Sequence, residues 1–165
     1  MHAPLVGIIM GSDSDLGVMR AAAEVLRELD VPCEMTVASA HRTPQRVIDY
    51  VGGARSRGLK VIIAGAGGTA HLAGVAAAFT PLPIIGVPVK TASLGGQDSL
   101  LSMVQMPPGV PVATVAIDGA RNAGILAAQM IATGDPALMD RLVRFKEEMA
   151  ATVLTKAARL ERGEL

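Results

Sequence analysis

Residues 60–79 read KVIIAGAGGTAHLAGVAAAF, and the fold turns on how this stretch is parsed. Residues 60–64 are a short run rich in branched apolar side chains, which suits a buried strand. Residues 71–79 are alanine-rich and long enough for a helix, and Gly65, Gly67 and Gly68 lie between as a tight turn. A strand, a glycine turn and a helix in twenty residues form half of a parallel βαβ unit. The same alternation recurs outward, with further strands expected at 5–10, 34–38, 83–87 and 112–117.

The helices between them follow from spacing. Val18, Ala22, Val25, Leu26 and Leu29 make one apolar stripe that ends before Pro32. Thr43 and Pro44 form a cap and first-turn pair, and Val47, Ile48 and Val51 continue that helical face to a stop at Gly58. Helices at 98–105 and 120–132 complete the series. With right-handed crossovers, five alternating units predict a three-layer, doubly wound, five-stranded parallel sheet in the flavodoxin-like order 2-1-3-4-5. After Gly134-Asp135-Pro136 an extra C-terminal helix, about 136–161, carries Leu138, Leu142, Phe145, Met149 and Val153 on one side with no strand left to cover. It is expected to pack on a neighbouring subunit, or else to flank its own domain. One domain over 1–165 is expected, with its core at about 5–132.

Composition bounds the function. The 165 residues carry 15 basic and 15 acidic side chains with no basic run, so the field that draws nucleic acid or an anionic membrane is missing. The apolar runs are far short of the ~20 residues that span a bilayer. The opening MHAPLVGIIMGSDSD lacks the basic start of a secretory leader. A lone Cys33 excludes disulfides within the chain, so a reducing, cytoplasmic location is expected. There are 27 alanines and 18 glycines against three aromatics, so elements can approach closely, and the surplus of apolar surface points to a homo-oligomer.

In a parallel sheet the strand-to-helix loops all emerge at the carboxyl edge, where ligands bind. The first, Gly11-Ser12-Asp13-Ser14-Asp15, offers backbone N–H groups, the hydroxyls of Ser12 and Ser14 and a helix N-terminus to a phosphate, while Asp15 can accept ribose hydroxyls. An ordinary capped helix start reads the same way. The second, Ser39-Ala40-His41-Arg42-Thr43-Pro44, sets an acid–base group beside an anion clamp, with Ser39 as a further polar contact. Alone, a His-Arg pair is usually a turn and a solvated charge. In the third, Gly67 and Gly68 let the backbone approach a ligand and present N–H groups, and His71 is either a second site histidine or a helix cap. The fourth, from Val87 through Lys90 to Ser99, is a wall of the site or a plain connector. No phosphate-loop motif, serine elbow or metal-spaced cluster is present, and no aromatic stands ready to stack a flavin. Cofactor-free chemistry on a small phosphorylated molecule is the reading that remains.

Taken together, IMGSDSD, SAHRTP, IIAGAGGTAHLAG, GVPV and DSLLSMVQMPPGVPVATVAI resemble the PurE family, the N5-carboxyaminoimidazole ribonucleotide mutases of purine (IMP) biosynthesis, from about Val6 to Ala132. The resemblance implies that Ser12 and Asp15 bind substrate, that His41 is catalytic with Arg42 beside it, that no metal or cofactor is used, and that the assembly is a homo-octamer joined through C-terminal helices. Arg42-Thr43-Pro44 is similar to the bacterial mutases, where the animal-type carboxylases carry Lys-Gly-Pro. Leu16, Thr69 and Ala73 depart from the family's usual Trp, Ala and Pro. The alternatives are a carboxylase that takes CO2 directly and a non-catalytic, flavodoxin-like nucleotide-binding module.

Overall fold

Branched apolar runs pair in parallel because each is flanked by a helix long enough to return the chain to the starting edge. The computed structural model describes residues 3–164, so Met1, His2 and Leu165 of the expected 1–165 domain lie outside the described residues. The order is β1 (Val6–Met10), a 3-10 turn (Asp13–Asp15), α1 (Leu16–Glu28), β2 (Cys33–Val37), α2 (Pro44–Gly52), β3 (Val61–Gly67) and α3 (Leu72–Ala78). There follow β4 (Ile84–Val89), α4 (Gln97–Val104), β5 (Ala113–Thr114), α5 (Ala120–Ala132) and α6 (Pro136–Glu161). The sheet order is β2-β1-β3-β4-β5, all parallel, the flavodoxin-like order expected.

Period-two alternation divides the central strands between two apolar layers. Ile8, Ile63 and Ile85 face α1, α5 and α6, whereas Ile9, Ile62 and Ile84 face α2, α3 and Met103 of α4. All six isoleucines are almost fully buried, each worth about 1.5–3 kcal/mol of hydrophobic transfer. Small residues set the spacing. A Cβ on Gly124 of α5 would run into Val25 and the Ala22 backbone of α1, so only glycine permits this approach.

Several expected boundaries move. β3 runs three residues past Ala64, through Gly65 and Gly67, because Met10 and Val87 flank Gly65, and Val89 pairs with Gly67. Those glycines therefore belong to a strand and serve close approach: a Cβ on Gly65 would strike Met19, and one on Gly67 would lie 2.9 Å from the Thr91 methyl. β5 shrinks from six residues to two, paired only through Ala113 and Thr114, since Val115 and Asp118 reach β4 by isolated bonds to Gly86 and Pro88. α2 stops at Gly52, short of Gly58. Thr43 does not cap α2 through its side chain; its hydroxyl turns back to Ser39.

α6 forms where expected. Asp135 caps it by accepting the Leu138 N–H at 3.0 Å, with Pro136 in its first turn. Leu138 and Leu142 are buried and Phe145 packs beside them on the α1–α5 layer, so the first half flanks its own domain. Met149 and Val153 are 53% and 65% exposed, so the stripe loses its cover halfway along.

Candidate active site

β1, β2 and β3 end side by side, and their loops close on one cleft of about 360 Å³ at the carboxyl edge. The loop after β1 is built locally. Ser12, extended at φ −152°, begins the 3-10 turn; its Oγ accepts the Ser14 N–H at 3.3 Å and its own N–H donates to Asp15 Oδ2 at 3.2 Å. The reciprocal pair is a capping box, which satisfies donors that the helix start would otherwise leave open. Asp15 is only 8% exposed, and burial raises its carboxyl above the usual aspartate value of 3.8. Hydrogen bonds from Ser12 and Ser14 and the charge of Arg42 oppose that rise.

The loop after β2 binds both neighbours. Within it Thr43 Oγ1 accepts the Ser39 N–H at 2.9 Å and donates to the Ser39 carbonyl at 3.1 Å. Ser39 Oγ in turn accepts from the Arg42 N–H and Nε at 3.3 and 3.4 Å. Arg42 Nη2 then donates 2.7 Å to the Gly11 carbonyl, tying this loop to the first. On its other side His41 Nε2 lies 2.8 Å from His71 Nδ1, with the rings edge-on at 84°. At that distance the two rings are hydrogen-bonded, one nitrogen donating and the other accepting according to the tautomers.

The third loop begins at Gly68, whose φ of +70° turns the chain out of β3. His71 N–H closes the turn on the Thr69 carbonyl at 2.8 Å, bringing the imidazole over the cleft at the start of α3. His71 makes no side-chain cap.

Of the residues expected to bind or react, Ser12, Ser14, Asp15, Ser39, His41, Arg42, Gly67 and His71 all line the cleft. Gly68 does not: its N–H donates to Ser99 Oγ at 2.8 Å and is withdrawn from any ligand. The Lys90 side chain is outside the lining too, while its N–H donates to Asp118. Thr91 and Leu72 line the cleft without having been singled out. Nothing local marks Thr91; only the pairing of β3 with β4 brings it against Gly67. A larger hollow of about 550 Å³ between α1, α5 and α6 holds the exposed Glu28–Arg121 pair and none of these loops. Among the described residues, no group of three or more His, Cys, Asp or Glu side chains is placed to hold a metal ion. None of their helices is long and apolar enough to cross a membrane.

The N–H groups of Ser12, Ser14 and Asp15, expected to face a phosphate, are spent within the first turn, so the cleft offers serine hydroxyls, a guanidinium and an imidazole bonded to a second imidazole, arranged within three loops. That set can hold a phosphorylated molecule and move a proton on it. The family model described as AIR carboxylase matches residues 5–152. An N5-carboxyaminoimidazole ribonucleotide mutase of Thermotoga maritima is 59% identical over 96% of this chain and 92% of the relative. A phosphoribosylaminoimidazole carboxylase of Schizosaccharomyces pombe is also 59% identical over 98% of this chain, which spans only 29% of that longer relative. Among solved structures, Treponema denticola PurE superposes with a TM-score of 0.86 at 28% identity, covering 95% of this chain and 98% of that one.

Proposed function

The chain belongs to the AIR carboxylase family, and on that premise we propose that it is an N5-carboxyaminoimidazole ribonucleotide mutase, moving a carboxyl group from the exocyclic nitrogen to ring carbon C4 in purine biosynthesis. The observation that carries this reading is the second loop, which joins an Arg42 clamp on the first turn to a His41 imidazole against His71.

In this reading Ser12 and Ser14 hold the phosphate and Asp15 the ribose hydroxyls, with Ser39 keeping Arg42 in place to balance anionic charge. His41 donates a proton to the exocyclic nitrogen as its bond to the carboxyl carbon breaks, leaving aminoimidazole ribonucleotide and CO2. C4 then attacks the CO2, and His41 takes the C4 proton, so the imidazole ends as it began. Gly67 and His71 enclose the CO2 between the two steps. No metal or organic cofactor takes part. General acid–base catalysis of this kind contributes about 10²–10⁴-fold.

The exposed end of α6, with Met149, Val153, Leu154 and Leu160 each more than half exposed, is read as the surface that joins copies into a homo-octamer of single-domain protomers in the cytoplasm. The test of function is an assay of the purified protein with the carbamate and, separately, with aminoimidazole ribonucleotide plus CO2. The carbamate should be converted rapidly and the second mixture only at high CO2. Conversion of the second mixture alone would make the chain a direct carboxylase, and conversion of neither would leave a binding module.

A further inference from the structure

Three polar side chains are buried among the described residues, and two of them, Asp15 and Ser39, lie in the cleft. The third, Ser99, has no exposed surface and stands behind the cleft wall in the first turn of α4. Its hydroxyl makes two bonds, donating to the Val89 carbonyl at 2.7 Å and accepting the Gly68 N–H at 2.8 Å. A serine hydroxyl has one hydrogen, so with the donor spent on a carbonyl, only its lone pair can meet Gly68. The ladder between β3 and β4 ends at the Gly67–Val89 pair, and Gly68 turns away immediately after it. Ser99 thus bridges the two strands at the point where their own pairing stops.

A buried serine that satisfies two backbone groups is a common packing device, but the segment it holds here is a wall of the cleft. From Gly68 the chain passes through Thr69 and Ala70 to His71, and that short arc is closed by the His71 N–H bond to Thr69. Displacement at Gly68 therefore reaches the imidazole, which lies 2.8 Å from His41. Thr91 presses its methyl against Gly67 from the same side, but its own hydroxyl has no partner, so Ser99 supplies the polar tether there. Asp98 Oδ1 accepts the Ser99 N–H at 3.0 Å, so that N–H has its partner and the Ser99 hydroxyl is left to the two strands.

We propose that Ser99 is a positioning residue for the reaction proposed above: its hydroxyl sets the glycine-rich turn and so the placement of His71 against His41. The inference rests on that functional reading. The test compares wild type, Ser99→Ala and Ser99→Cys by thermal melting and by kcat and KM with the carbamate. Ser99→Ala should lower kcat about 10- to 100-fold, the loss that follows a misplacement of about 1 Å, with KM little changed because the phosphate and ribose end is held by a different turn. Ser99→Cys, close in size but a weaker hydrogen-bonding group, should recover part of the loss. A melting temperature that falls while kcat and KM stay at wild-type values overturns the proposal, as does a rise in KM alone or the failure of both variants to fold. Inactive wild type would defeat the functional reading and this inference with it, whereas active wild type with unaffected variants defeats this inference alone.

Discussion

The turn at 12–15 and the turn at 67–71 face each other across one cleft, yet they are held by opposite means. The first is closed within four residues, by Ser12, Ser14 and Asp15 bonding to one another. The second is tethered by a serine 31 positions along the chain and packed by Thr91 on a different strand end. Between them the loop at 39–43 reaches both, through Arg42 to Gly11 and through His41 to His71. The self-closing turn suits a grip on a fixed group such as phosphate. The tethered turn places a proton partner whose position depends on the assembled sheet. Changes near the first turn are therefore expected to act on binding, and changes that face the second on turnover.

The largest effect is expected at His41. His41→Asn removes the proton carrier but keeps a polar side chain beside His71, so turnover should fall about 10²–10⁴-fold while the ribonucleotide still binds. Steady-state rates and calorimetric titration with the nucleotide would measure both. A variant that turns over normally would break the comparison at its centre.

Arg42→Ala comes next and acts on the other side. It removes the guanidinium proposed to balance the ligand's anionic charge, and loss of a charged hydrogen bond to the ligand costs about 1.5–3 kcal/mol, or roughly 10- to 100-fold in KM; its exposed bond to the Gly11 carbonyl goes too. Since the first turn closes on itself, the melting temperature should barely move. A large drop in melting temperature would show that this turn leans on Arg42 and is not self-sufficient.

That difference in how the turns are held also explains what could be read from the chain. The capping pattern of Ser12 and Asp15, the His41-Arg42 pair and the stripe of α1 are local, and the strand order followed from crossover handedness; each stands where it was expected. Gly65 and Gly67 look like turn residues in sequence but are strand residues, because only the folded sheet shows Met19 and Thr91 pressed against them. Ser99 and Thr91 carry no local signal, since their partners are brought to them by strand pairing. Thr43 before Pro44 reads as a cap, yet the nearer unsatisfied groups were those of Ser39.

Asp15 sharpens the comparison through pH. Asp15→Asn keeps an acceptor for the Ser12 N–H but loses the charge that receives ribose hydroxyls, so KM should rise about tenfold, the scale of one hydrogen bond. Stability should move the other way. Burial raises the folded carboxyl above 3.8, so the folded state favours the protonated form; that contribution is fully present below 3.8 and is lost as pH rises through the raised value. Melting curves of the wild type against Asp15→Asn should therefore diverge in favour of the variant as pH climbs above 3.8. Curves that stay parallel across that window would mean that Ser12, Ser14 and Arg42 fully offset the burial.

The smallest effect probes the loop between the turns. Thr43→Ala removes both bonds to Ser39, but Thr43 is exposed and water can replace part of what is lost, so the cost should be about 1 kcal/mol of stability. Activity should hold, because Arg42 keeps its bonds to Ser39 and Gly11 and His41 keeps His71. The opposite pattern, a normal melting temperature with kcat or KM displaced, would mean that the 39–43 loop is shaped by Thr43 more than by its two neighbours. In that case the loop, and neither turn, would set the distance between clamp and proton carrier, and the division of labour between the turns would give way to control from a single loop.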